Sequence, residues 1–257
     1  MDDKFFYPEG NVTQDWRGFK LIVPTVAVGN VAQLSMDLLI SSLLREKKLA
    51  RSGRISSPFV RPVVGPNAYD IFSPNVTTSS EVYHSVELKL VLIQVRSPPF
   101  SEAKKEFIDQ LSSWITTQGF GEVFILTSSF SQFLTCPDKE GYRLIKYLSP
   151  QGLTSFADLQ PVLKVNAYSY QEDPENGVIK IPGSGIAKRL LDIISAKDPA
   201  LKVVVLIRYC SEGDNTPDAF DLSMWLVKNV IQDSSIKLST PVSWNKFFGD
   251  EIPISIF

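Results

Sequence analysis

A chain of 257 residues fits one large domain or two small ones, and 44% hydrophobic with 21% charged residues is the ordinary balance of a globular protein that buries a full core. The formal net charge is −2, with acids and bases interleaved and no basic stripe, which argues against an electrostatic nucleic-acid binder. No apolar run approaches the ~18 residues of a membrane span, since Leu21 to Val31 is interrupted by Pro24, Gly29 and Asn30. The first residues, Met1-Asp2-Asp3-Lys4-Phe5, lack the basic-then-apolar order of a signal peptide. Cys136 and Cys210 are therefore read as reduced thiols of the cytosol or nucleus.

In chain order, residues 1–18 show no periodicity and are expected to form a flexible N-terminal arm. Residues 19–28 read as a strand in which Pro24 marks an edge, a bulge or an irregular end. Gly29-Asn30 then turns the chain into a long apolar helix, with Asn30 as expected N-cap and Gln33 completing a capping-box-like pair. Residues 54–80, rich in Ser, Pro and Val, suggest short strands and turns, and Val86 to Val95 reads as one strand entering the core. Pro98-Pro99 breaks it, and Ser101 is the expected cap of a helix whose Phe107, Leu111, Trp114 and Ile115 share one face. Gly119 is its stop, and Val123 to Thr127 the next buried strand.

From Phe130 to Glu175 the pattern weakens; Val162 to Val165 is a candidate strand and Gln171 to Gly177 an exposed loop. Val178 to Pro182 reads as a strand, followed by the Gly183-Ser184-Gly185 turn and a helix from Ile186 to about Ala196. A last strand from Val203 to Tyr209 runs through Ser211-Glu212-Gly213-Asp214-Asn215 into a helix from Pro217 to about Ile231, with Thr216 as expected N-cap, Pro217 at the first helical position and Asp218 on the positive helix end. Strand–helix alternation predicts a three-layer α/β/α sandwich with a largely parallel sheet: a single domain over 19–248 and an apolar tail over 249–257.

Few residues offer chemistry. Gly183 to Gly185, between strand and helix, either cradles a phosphate through bare N–H groups or is a tight turn that needs glycine for its conformation. There is no third glycine and no Lys-Ser/Thr pair; Lys188 and Arg189 lie one helical turn on. Glu212, Asp214 and Asp218 could bind a hard cation or work as acid and base, but turn chemistry and the helix dipole explain them equally. His84 stands without a ligand set or a triad partner. No cofactor or metal is expected. The tail, with Ile254, Ile256 and Phe257 among its last four residues, either packs back as an edge strand or anchors in another protein's pocket.

Three segments, Val26-Ala27-Val28-Gly29-Asn30-Val31-Ala32-Gln33-Leu34-Ser35-Met36-Asp37-Leu38, Ile181-Pro182-Gly183-Ser184-Gly185-Ile186 and Ser211 to Ala219, together with the ending Ser243-Trp244…Phe247-Phe248-Gly249, resemble the proteasome assembly chaperone 2 family. The resemblance implies an α/β/α fold with a nucleoside-phosphorylase-like outline but no catalysis. It also implies a heterodimer with proteasome assembly chaperone 1, seated on the proteasomal α-subunit ring, promoting its assembly and blocking α-ring dimerisation. Gly29, Asn30, Gly183, Gly185, Glu212, Asp214, Pro217 and Asp218 then become fold-building turn residues. Tails of this class resemble the hydrophobic-tyrosine-any ending of proteasome activators; here Ser255-Ile256-Phe257 departs from it, with Ile256 in place of the tyrosine. The competing expectation is a nucleoside- or phosphate-binding enzyme or sensor using Gly183 to Gly185 and Glu212 or Asp214.

Overall fold

The computed structural model describes residues 4–10, 15–133, 145–150 and 180–246. Ten strands and four α-helices are described: β1 Phe6–Pro8, β2 Lys20–Pro24, α1 Val31–Arg45, β3 Ala50–Ile55, β4 Val64–Pro66, β5 Val76–Thr78, β6 Ser80–Ser85, β7 Leu90–Val95, α2 Lys104–Thr117, β8 Glu122–Phe130, β9 Ile145–Leu148, α3 Ala187–Lys197, β10 Lys202–Cys210 and α4 Thr216–Leu226. Eight strands form one sheet in the order β1-β3-β6-β7-β2-β8-β10-β9, while β4 and β5 make a separate ribbon. The expected parallel arrangement is found at the centre, where β7, β2, β8 and β10 run together. Antiparallel partners flank it on both sides.

Strand alternation divides the core. Leu21 and Val23, with Val123, Ile125, Val203, Val205 and Ile207, point to the face covered by α2 and α3. Ile22, with Phe124, Leu126, Val204 and Leu206, points to the face covered by α1 and α4. Because both faces are covered, the central strands read as unbroken apolar runs. That gives the three layers expected. Pro24, at the last paired position of β2 beside Leu126, is an irregular end and not an edge.

The N-terminal expectation needs correction. Instead of a loose arm, β1 pairs with β3 through Phe6↔Ile55, and Trp16 is 2% exposed, stacked on Phe120 and edge-on to Trp114. A three-residue strand is too short to show a period of two, yet its rings bury large apolar areas. The caps also differ. Asn30 takes a left-handed conformation and makes no side-chain cap bond, while Gln33 donates to the Val95 carbonyl at 2.8 Å. A tertiary hydrogen bond wins over the local box. Ser101 opens a 3-10 turn without capping α2. Thr216 is the first residue of α4, its N–H accepted by Asp214 Oδ1 at 2.9 Å, so Pro217 stands one position later than expected. Helical structure reaches the expected Ile231 through a π turn over Val227–Ile231.

Val86 to Lys89 is a turn, not strand: Lys89 has φ 46°, its N–H donates to the Val86 carbonyl, and Val86 is 70% exposed. Lys180 to Pro182 is not strand, and Val178, Ile179, Val162 to Val165, Gln171 to Gly177 and the tail lie outside the described residues. Gly119 stops α2 as expected, at φ 73°.

Candidate partner-binding surface

In an open α/β sheet, ligands gather outside the carboxyl ends of the parallel strands. Here protein occupies most of that place, leaving an apolar pocket of about 120 Å³ between Pro24, Val95, Phe107 and Gly185, too small for a nucleoside. The Gly183-Ser184-Gly185 turn lies across the ends of β2 and β8 with its carbonyls facing the strands. Thr127 Oγ1 donates to the Ser184 carbonyl at 2.9 Å, Ser129 Oγ to the Pro182 carbonyl at 2.8 Å and the Val28 N–H to the Gly183 carbonyl at 2.9 Å. Thr25 Oγ1 sits 3.0 Å from Thr127 Oγ1, and Ser128 Oγ donates to the Val28 carbonyl. A phosphate cradle presents N–H groups; this turn is bound to the sheet by the opposite polarity. Lys188, one helical turn on, is paired with Asp192 at 2.6 Å.

Glycine is required there by space as well as by conformation. At Gly185, with φ 62°, an added Cβ would run into the Val26 carbonyl oxygen; at Gly29, with φ 66°, it would lie 2.6 Å from Asn215 Nδ2 and 3.0 Å from Cys210 Sγ. Asn215 is buried and donates to the Gly213 carbonyl at 3.1 Å.

Of the acidic loop and the helix start behind it, Asp214 and Asp218 make structural contacts, whereas Glu212 makes no hydrogen bond or ion pair among the described residues. Glu212 and Asp214 are exposed, and the Thr216 hydrogen bond lowers the Asp214 pKa. Asp218 and Asp221 hold the buried Arg208 at 2.8 and 3.0 Å. Among the described residues no three His, Cys, Asp or Glu side chains come together as a metal-ligand set. Burial pushes the Cys210 thiol up to about 11, far from a nucleophilic thiolate at neutral pH.

His84, on β6, has Nδ1 2.7 Å from Ser52 Oγ, and desolvation lowers its pKa below 6.5. The folded state therefore binds this proton less tightly than the unfolded chain. Its contribution is complete above pH ~6.5 and is lost as pH falls toward the folded value. His84→Gln is expected to flatten the stability profile between pH 7 and 5, measured as urea midpoints; an unchanged acid slope would show that His84 does not set it.

One surface is built differently. Five large apolar side chains are exposed within fourteen residues: Val63 at 46%, Val64 at 71%, Ile71 at 68%, Phe72 at 89% and Val76 at 48%. Val64, Pro66 and Val76 share the outer face of the β4–β5 ribbon, opposite the buried Thr77. The segment from Arg61 to Val76 carries one arginine and one aspartate, and charge depletion with an exposed aromatic is the composition of an interface centre.

The ribbon is clamped in place. Arg51 Nη1 donates to the Val76 carbonyl at 3.1 Å, while its guanidinium meets the buried Glu81 at 3.2 Å and Glu9 at 2.9 Å. Glu81 in turn accepts the Thr78 N–H and the Tyr83 hydroxyl. Near the tip, Tyr69 donates to Asp37 at 2.8 Å, and Arg96 Nη2 donates to both. From the sequence this region shows only short strands and turns; the signal it carries besides is sixteen residues nearly free of charge but rich in Val and Pro, with Phe72 among them.

A family model described as the PAC2 family matches residues 21–210, from β2 to β10. The chain belongs to the PAC2 family. The match takes in the filled strand ends and the ribbon, and relatives extend it over nearly the whole length. Proteins named proteasome assembly chaperone 2 are 33% identical in Xenopus tropicalis and 32% in Homo sapiens, each alignment covering 98% of this chain and 100% of the relative. One from Saccharomyces cerevisiae is 24% identical over 89% of this chain and 94% of its own. Among solved structures, Pyrococcus furiosus PbaA, described as an archaeal homolog of proteasome-assembly chaperone, superposes with a TM-score of 0.63 at 15% identity, covering 89% of this chain and 86% of its own. P. furiosus PbaB, described as an archaeal proteasome activator, gives 0.58 at 14% identity over 92% and 91%. These superpositions establish the PAC2 α/β fold. No described helix is long and apolar enough to cross a membrane.

Proposed function

We propose that this chain is a non-enzymatic chaperone of proteasome core-particle assembly. It works as a heterodimer with proteasome assembly chaperone 1 on the α-subunit ring, promotes correct ring formation and blocks off-pathway α-ring dimerisation, in the cytoplasm and nucleus. The observation that carries the reading is the clamped apolar ribbon, a surface built to be covered by protein. The strand ends support it from the other side, since the place where a phosphate or nucleoside would bind is occupied by the chain's own turn. Relatives carrying the chaperone name over 98% of the chain point the same way.

The isolated chain is expected to self-associate or express poorly and to be rescued by co-expression with proteasome assembly chaperone 1; light scattering of the two preparations measures this. A well-behaved monomer indifferent to that protein would contradict the heterodimer. The tail has a separate role in the reading: Ile254, Ile256 and Phe257 contact the α-ring. Deleting Ile254 to Phe257 is expected to reduce capture of α-subunits at least several-fold and leave the heterodimer intact. Unchanged capture would remove the tail from the account.

A further inference from the structure

We propose that the groove beside the β4–β5 ribbon binds an acidic, apolar segment of a protein partner, with Arg54 and Arg61 as its carboxylate receivers. The groove encloses about 230 Å³ between the end of β3 and the start of β6, with Ile55, Val60, Pro62 and Val63 as its apolar lining. That is below the size of a typical small-molecule cleft and suits one or two side chains. It opens beside the exposed Val63 and Val64 and so continues the apolar face.

One arginine lines it and a second, Arg61, adjoins it in the chain between the lining residues Val60 and Pro62. Arg54 lines the groove with its guanidinium 5.7 Å from the Tyr7 ring centroid, and Arg61 lies 5.7 Å from that of Phe100. A cation–π contact holds a guanidinium near a ring while its N–H groups stay available to a carboxylate. Neither pairs with a carboxylate among the described residues: Glu9 and Glu81 are both engaged by Arg51. Lys4 adds a third cation over Tyr7. The rim is therefore cationic around an apolar floor, although the whole chain carries −2. The complementary occupant has carboxylates around an apolar side chain.

The walls are fixed in advance. Ser79 Oγ accepts the Val63 N–H at 2.8 Å and donates to the Arg61 carbonyl at 3.0 Å, and Val60 bridges to Pro99. A held groove loses little freedom on binding.

The inference rests on the reading that the ribbon face meets a partner, so the test separates the two. A photo-crosslinking residue at Val63 in the full chain, co-expressed with proteasome assembly chaperone 1 and α-subunits, is mapped by mass spectrometry. The expected crosslink falls in a partner segment holding at least two Asp or Glu within about five residues of an apolar side chain. The double variant Arg54→Glu/Arg61→Glu should lower its yield at least tenfold, and reversing those partner acids to lysine should restore it. A crosslink to a basic or uncharged segment, to a second copy of this chain, or one indifferent to the double reversal overturns the proposal. If crosslinking is absent yet Phe72→Asp still abolishes partner capture, the groove fails and the ribbon reading stands.

Discussion

Gly185→Ala will cost the chain about 4 kcal/mol of stability or more. The residue sits at φ 62°, where an L side chain is strained by about 1–2 kcal/mol. The added Cβ would also collide with a backbone atom, the Val26 carbonyl oxygen, which cannot swing aside as a side chain could. Relief requires lifting the turn off the strand ends. That breaks the hydrogen bonds from Thr127 to Ser184, Ser129 to Pro182 and Val28 to Gly183, each worth about 1 kcal/mol net. Against a total of about 5–15 kcal/mol for a folded domain, such a loss moves the urea midpoint far down. Gly65→Ala is the control, since Gly65 has open space around its Cβ position and no positive φ. Equal stability of both variants would mean that the turn does not seal the strand ends.

Arg51→Ala is the second large effect. It removes the ion-pair partner of Glu81, which is 1% exposed, and leaves a buried carboxylate with only the Tyr83 hydroxyl, the Thr78 N–H and the more distant Arg96 to offset its charge, a loss approaching about 3 kcal/mol at neutral pH. Burial already raises the Glu81 pKa above the ordinary glutamate value while Arg51 pulls it down, so the variant raises it further. The sign follows. A carboxyl whose folded pKa exceeds its unfolded value binds its proton more tightly in the folded state. Stability is then greatest below the unfolded value and is lost as pH rises through the folded one. Urea midpoints of Arg51→Ala should therefore recover toward pH 4 and fall toward pH 7, and Glu81→Gln in the same chain should remove most of that dependence. The lost bond to the Val76 carbonyl should also loosen the ribbon, read as faster amide exchange over residues 64–78. A variant as stable as the parent at pH 7, with unaltered exchange, would show that Arg51 clamps nothing.

The sheet centre and its helices were legible because burial writes itself into long patterns. Val203 to Ile207 can only be a doubly covered strand, and Phe107 to Ile115 repeats at helical spacing. Gly183 and Gly185 were legible as a turn that demands glycine, although sequence alone left open which polarity the turn presents. Features fixed by distant partners left no local trace. Trp16 reaches Phe120 and Trp114 from a segment without periodicity, and Gln33 abandons its capping position for a carbonyl on β7. The ribbon was the costliest omission: its strands have three residues each, and their clamp comes from Arg51 and Glu81 on neighbouring strands.

The proposed chaperone role lies in the exposed ribbon surface, and its loss can be read in one measurement. Size-exclusion chromatography with mass identification is run on the parent chain and on Val64→Asp/Phe72→Asp, each mixed with proteasome assembly chaperone 1 and proteasomal α-subunits. Both side chains are largely exposed, so the variant should keep the parent's urea midpoint. The parent is expected to co-elute with these proteins in a stoichiometric complex, and the variant to lose at least tenfold of it. A parent that elutes alone, or a variant that co-elutes equally, would contradict that role.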